Sequence, residues 1–171
     1  VSGNGATFYC DHDTRGNAHR KAEGMSTSFS CGGTGFGHND LTLVFDRAER
    51  LTQVLDSSSG LLQKELFYYT DNTANEWRRG KLALAKRHNR GTLVFPRAPE
   101  PVQDAIVTET YTYGGSEGRV SNRQTRLWGY TFDLGVTYDT LGNVATLTYP
   151  ECSHAKCTAP DRTVSFTYTQ G

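Results

Sequence analysis

Val136-Thr137-Tyr138-Asp139-Thr140-Leu141-Gly142-Asn143-Val144-Ala145-Thr146-Leu147-Thr148-Tyr149 is the stretch whose reading decides the fold. Its flanks are β-branched and aromatic, the composition that suits a pleated, half-buried strand. Between them Asp139 and Gly142 are turn makers. An Asp carboxylate accepts hydrogen bonds from amides two residues on, and Gly takes a positive φ at no steric cost. The stretch therefore reads as strand, tight turn and returning strand.

Working outward, the same texture recurs. Leu41, Leu43 and Phe45 alternate with Thr42 and Val44. Asp46-Arg47-Ala48-Glu49 turns, and residues 50–56 return. Ser57-Ser58-Ser59-Gly60 turns again into a strand over residues 61–69. Leu82 and Leu84 alternate in a segment of good helix formers, and a strand is expected there because tertiary context overrides propensity. Pro96, Pro99 and Pro101 mark a connection, residues 107–113 form a period-two β segment, and residues 162–169 form the last strand. No segment has helical periodicity. The expected fold is all-β, a meander of repeated antiparallel β-hairpins in a curved sheet.

The first forty residues read differently. Gly, Asn, Ser and Asp dominate, Cys31-Gly32-Gly33-Thr34-Gly35-Phe36-Gly37 is a Gly-rich loop, and Ala6-Thr7-Phe8-Tyr9-Cys10 is the only expected strand. The division expected is an irregular segment over 1–40 and hairpins over 41–171.

Composition narrows the function. Of 171 residues, Lys plus Arg and Asp plus Glu number 18 each, which argues against a nucleic-acid footprint or an anionic membrane surface. No apolar run approaches the ~20 residues of a membrane helix, and no basic-then-apolar leader opens the chain. The stop directly after a strand-like run suggests a cut inside a repeating array. Four cysteines (Cys10, Cys31, Cys152, Cys157) suggest disulfides in an oxidising compartment. Four cysteines allow three connectivities; Cys10–Cys31 and Cys152–Cys157 are the local pairing.

The hairpins also repeat as sequence. Phe45-Asp46-Arg47-Ala48-Glu49-Arg50-Leu51 aligns position by position with Tyr138-Asp139-Thr140-Leu141-Gly142-Asn143-Val144, and a looser copy runs from Tyr113 through Gly118-Arg119-Val120. The pattern, Tyr-Asp-x-x-Gly-Arg/Asn-Leu/Val and then a Tyr (here Tyr149), resembles the YD-repeat family of RHS proteins, wall-associated bacterial proteins, toxin-complex subunits and animal teneurins. Gly80-Lys81-Leu82 also looks like a segment found between such repeats. The unit at Phe45 departs by Phe for Tyr and by Glu49 for the turn glycine.

The resemblance implies a secreted or cell-surface scaffold whose hairpins stack into a long sheet and spiral into a hollow shell or barrel around a toxin domain. Its partners would be neighbouring repeats of a longer chain, another copy of the chain, or the enclosed cargo. No cofactor is implied. The family's aspartyl self-cleavage motif begins Asp-Pro-x-Gly and does not occur here, so no catalytic residue is assigned.

Asp11-His12-Asp13 with His19 has metal-ligand residue types, yet Asp-rich loops are usually solvated turns. Cys152-Ser153-His154-Ala155-Lys156-Cys157 offers three zinc ligands without a fourth, and a disulfide is preferred. No Gly-x-Ser-x-Gly elbow occurs, and residues 32–37 lack the Lys-Ser/Thr of a phosphate loop. Arg78-Arg79, Lys81 and Lys86-Arg87-His88 form a basic stretch near Trp77, read as a solvated hairpin face. Two alternatives to the scaffold remain. One is a carbohydrate-binding module stacking sugars on Trp77, Trp128 and Tyr130. The other is a secreted hydrolase or nuclease using His12, His19 or His154 with Glu23 or Arg residues.

Overall fold

The computed structural model describes residues 6–24, 40–73, 76–89, 105–115, 117–150 and 162–168. It is all-β, an antiparallel meander in which each strand follows its sequence neighbour. Among the described residues there is no helix, and none long and apolar enough to cross a membrane. The chain divides into two compact units, Val1–Leu66 and Phe67–Gly171.

The first unit holds β1 (Ala6–His12), β2 (Ala18–Gly24), β3 (Leu41–Phe45), β4 (Leu51–Asp56) and most of β5 (Leu62–Tyr68), in that order. β1 and β2 form a regular hairpin with Phe8 opposite Ala22 and His12 opposite Ala18. Residues 6–24 are thus not irregular, and a second strand joins the one expected. The change of texture near residue 40 is one of composition, since β2 pairs directly with β3 through Arg20–Thr42 and Lys21–Leu41.

The second unit holds β6 (Leu82–Asn89), β7 (Ala105–Gly114), β8 (Arg119–Leu127), β9 (Tyr130–Tyr138), β10 (Val144–Tyr149) and β11 (Arg162–Ser165), again in chain order. Residues 82–89 are a strand despite their helix-forming composition. The β8–β9 hairpin turns on only two residues, Trp128 (φ 49°) and Gly129 (φ 82°), closed by the pair Leu127–Tyr130. Positive φ at both central positions matches the right-handed twist of the strands.

Packing is thin. Among the described residues the buried apolar side chains are Cys10, Ala22, Val54, Ala105 and Tyr113. The second unit's sheet is nevertheless strongly two-faced. Because directly paired residues share a face, Tyr111, Leu127, Tyr130, Phe132, Leu134, Val136, Leu147, Tyr149, Val164 and Phe166 lie on one side, with Glu109, Arg123, Thr125 and Arg162 among them. The other side carries Thr108, Thr110, Thr112, Asn122, Gln124, Arg126, Thr131, Asp133, Thr137, Thr146, Thr148 and Thr163, with exposed Ile106 beside Thr108. Its rows are tied by Gln124–Asp133 (3.0 Å) and by the hydroxyl pairs Thr137–Thr146 (2.6 Å) and Thr148–Thr163 (3.3 Å).

Candidate functional site

The chemistry-bearing residues concentrate in the turns. In the turn from Asp139 to Asn143 the Asp139 carboxylate accepts the Leu141 amide (2.9 Å), the Asn143 amide (2.8 Å) and the Asn143 side-chain amide (3.1 Å). The Gly142 amide donates to the Asp139 carbonyl at 3.0 Å. Asp46 repeats this with the amides of Ala48 (2.8 Å) and Arg50 (3.0 Å) and the Arg50 Nε (2.8 Å). Here Glu49 holds φ 62°, so the left-handed position survives loss of its glycine.

Asp13 repeats it once more, with the amides of Arg15 and Asn17 at 2.9 Å each and the Asn17 side chain at 3.1 Å. Of the residues read as metal-ligand types, Asp11 and His12 end β1, Asp13 leads a structural turn and His19 lies on β2. Asp13 is committed to turn amides, and His19 lies 3.4 Å from it with its ring edge against Phe45. No group of three ligand-type side chains able to hold a metal is found among the described residues.

These carboxylates are held ionised. Hydrogen bonds from Asn17 pull Asp13 well below the usual carboxylate range. The Arg50 side chain and amide lower Asp46. Partial burial works to raise Asp139, and the bonds from Asn143 outweigh it, so its pKa is lowered. Asp56, in the Ser57–Gly60 turn, is lowered to about 2 by the Ser58 hydroxyl and the Ser59 amide and hydroxyl.

A bulge follows three of the turns at one position. The closing pairs are Phe45–Leu51, Tyr113–Val120 and Tyr138–Val144, and the register slips immediately after each. The bulge residue is small or hydroxylated: Thr52, whose hydroxyl donates to the Val44 carbonyl at 3.1 Å, then Ser121, donating to Thr112 at 3.3 Å, then Ala145. Bulges re-aim the chain and add twist, as a turn stacked on its neighbour requires.

In the second unit successive turns interlock. Tyr113 donates its hydroxyl to the Leu82 carbonyl (2.9 Å), Tyr138 to Val120 (2.9 Å) and Tyr168 to Val144 (3.1 Å). Each acceptor is the residue after a Gly-Lys, Gly-Arg or Gly-Asn pair whose glycine has positive φ. The cation of that pair lies over the next tyrosine ring: Lys81 over Tyr113 and Arg119 over Tyr138, each at 5.2 Å. It also fills the space beside the next turn glycine. A Cβ on Gly142 would overlap the Arg119 guanidinium, and one on Gly118 would overlap the Trp77 carbonyl and the Lys81 ammonium. Burial raises the Tyr113 pKa, so its phenol stays a donor. Between the last two turns a cleft of about 260 Å³ is lined by Glu117, Arg119, Tyr138 and Asp139 among others. Arg119 is ion-paired there with Glu117.

The expected site residues are therefore distributed unevenly. Phe45, Tyr113 and Tyr138 each close a bulged hairpin, Asp46 and Asp139 lead turns, and Gly142 and Asn143 complete the second of these turns. Tyr149 does none of these; it is exposed on the apolar face opposite Arg162. Tyr168 is the residue that tethers to the turn before it. Trp77 is not brought together with Trp128 and Tyr130. Its carbonyl lies against Gly118, at the opposite end of β8 from Trp128, and nine strand residues span about 26 Å. All three aromatics are well exposed, at 59–60%. The basic stretch forms no single face: Arg78 pairs with Asp71 (3.3 Å) and Glu76 (2.8 Å), Lys81 serves turn carbonyls, and Lys86 lies over Phe67. Cys10 is buried on β1 and is not a free thiol. Cys31, Cys152, His154 and Cys157 lie outside the described residues, as does the side chain of Glu23.

Comparison of the chain with models of protein families, with curated proteins and with solved structures finds no match in any of the three.

Proposed function

We propose that this chain is a structural scaffold segment of the YD-repeat kind, from a secreted or cell-surface bacterial protein whose hairpin wall encloses or displays a toxin or adhesive domain. The observation that carries the reading is the recurrence of one device. Three turns led by Asp13, Asp46 and Asp139 hold the same hydrogen bonds, and three tyrosines reach back to the preceding turn. A catalytic carboxylate needs a free oxygen and a tuned proton affinity. These are spent on turn amides and held ionised. In this reading the chain is not an enzyme, its cysteines pair locally as Cys10–Cys31 and Cys152–Cys157, and it works by shape. A hydrolase and nuclease screen with His12→Ala and His19→Ala variants tests it. Turnover lost in those variants would overturn the scaffold, and unreduced mass spectrometry should show two disulfides.

A second reading has its own observation. Trp128 holds a left-handed backbone, costly for a bulky residue, at the exposed tip of β8–β9 beside Tyr130. Strain kept at an exposed aromatic fits a carbohydrate platform, and a glycan array read with and without Trp128→Asn tests it.

A further inference from the structure

We infer that the loop carrying Trp77, together with the cleft beside it, is a binding site for a neutral, β-linked polysaccharide chain. The loop is an insertion into the repeated turn. Tyr69 donates its amide to the Lys81 carbonyl (2.9 Å) and accepts the Gly80 amide (2.8 Å), and Gly80 holds φ 81°. The Asp139 turn closes with the same pair, from Asp139 to Asn143 (2.9 Å) and from Gly142 to Asp139 (3.0 Å), with Gly142 at φ 85°. Inside that closure the Asp139 turn has two residues, Thr140 and Leu141, and the Tyr69 turn has ten, residues 70–79. Closing the hairpin does not need the rest, and insertions into repeats gather on one face, often the one that binds.

The inserted residues fasten one another. Arg78 pairs with Asp71 (3.3 Å) and Glu76 (2.8 Å) and lies 4.5 Å over the Tyr69 ring. The Arg79 amide donates to the Asn72 side chain at 2.8 Å. Trp77, 59% exposed, is thus presented on a loop held in place before any ligand arrives, which leaves less ordering entropy to lose on binding.

The chemistry next to Trp77 selects the ligand. Its carbonyl abuts Gly118, whose chain neighbours Glu117 and Arg119 line the cleft with Tyr138, Asp139 and Thr140. No aliphatic side chain is among the described residues of that lining, so an apolar anchor from a protein partner gains nothing there. A sugar chain uses both parts. Its C–H face stacks on an exposed indole, and its hydroxyls accept from Arg119 and donate to Glu117, itself 63% exposed. Two carboxylates against one guanidinium disfavour an acidic sugar. At about 260 Å³ the open cleft is smaller than the ~300–1,000 Å³ that encloses a drug-sized ligand, so it takes one ring of a longer chain. Extended β-linked chains offer the flat C–H face that coiled α-linked chains do not. The ligand class is that of the platform proposed at Trp128, but the residues are different and lie at the opposite end of β8.

Tryptophan fluorescence titration of the Trp128→Asn chain is the experiment, because Trp77 is then its sole indole. Cellohexaose, chitohexaose and hexagalacturonate are the probes. The expected result is a saturable change with one or both of the neutral β-linked hexamers and none with the anionic one. In the same background Glu117→Gln should weaken that binding about tenfold or more, the worth of a hydrogen bond to a charged group. Trp77→Ala should abolish it in calorimetry. Both side chains are exposed, so both variants should keep the parent's melting temperature. No response to either neutral hexamer, a preference for hexagalacturonate, or binding that Glu117→Gln leaves unchanged would each overturn the inference. None of these outcomes bears on Trp128, which the titrated chain lacks, or on the turn substitutions that test the scaffold.

Discussion

At the scale of single residues, backbone conformation and proton affinity decide more than burial does. Gly142 sits at φ 85° with the Arg119 guanidinium where a Cβ would be. Gly142→Val therefore carries both backbone strain and displacement of Arg119, and should cost about 1–3 kcal/mol in denaturant unfolding. Trp128 poses the converse case. Asn is preferred in a two-residue turn with positive φ at both positions, so Trp128→Asn should raise the melting temperature. If the same variant loses glycan binding, the strain at Trp128 is kept for recognition.

The turn carboxylates fix a pH dependence. Their folded pKa values are depressed, so their stabilisation is present above the unfolded value near ~4 and is lost as pH falls through the folded values. Melting temperature should fall between pH ~4 and the value of about 2 for Asp56, and Asp56→Asn should make that fall shallower. Acid titration followed by circular dichroism checks it.

Among the elements, strands were more legible than turns. Alternation and β-branching located β3 to β7, β10 and β11 in the sequence, and Leu82–Asn89 is a strand as its alternation required. The β8–β9 hairpin carries no such signal, because Trp128-Gly129 is not one of the Asn-Gly or Asp-Gly pairs that mark a two-residue turn. Asp13-Thr14-Arg15-Gly16-Asn17 differs from Asp139-Thr140-Leu141-Gly142-Asn143 only at its third residue. Its likeness was hidden by His12 in the tyrosine position and by the charge around it, which suggested a metal. The tyrosine tethers could not be read from sequence, since they join residues on different hairpins. They give the prediction that belongs to this scale. Tyr138→Phe should cost about 0.5–1.5 kcal/mol, the net worth of one hydrogen bond. A double-mutant cycle with Arg119→Ala should show coupling, because both groups act on one ring.

Across the whole molecule one hairpin device recurs in units otherwise different in sequence, and among the described residues stability is spread over turns and tethers instead of a deep core. Hydrogen exchange followed amide by amide is its most direct measurement. The amides of Asn17, Arg50 and Asn143 each donate to the leading aspartate of an exposed turn. They should be protected as a matching set relative to Thr14, Arg47 and Thr140 in the same turns, and each should lose protection when its own Asp13, Asp46 or Asp139 is replaced by Ala. Protection at only one of the three, or exchange at all three as fast as at the neighbouring turn residues, would contradict a repeated device.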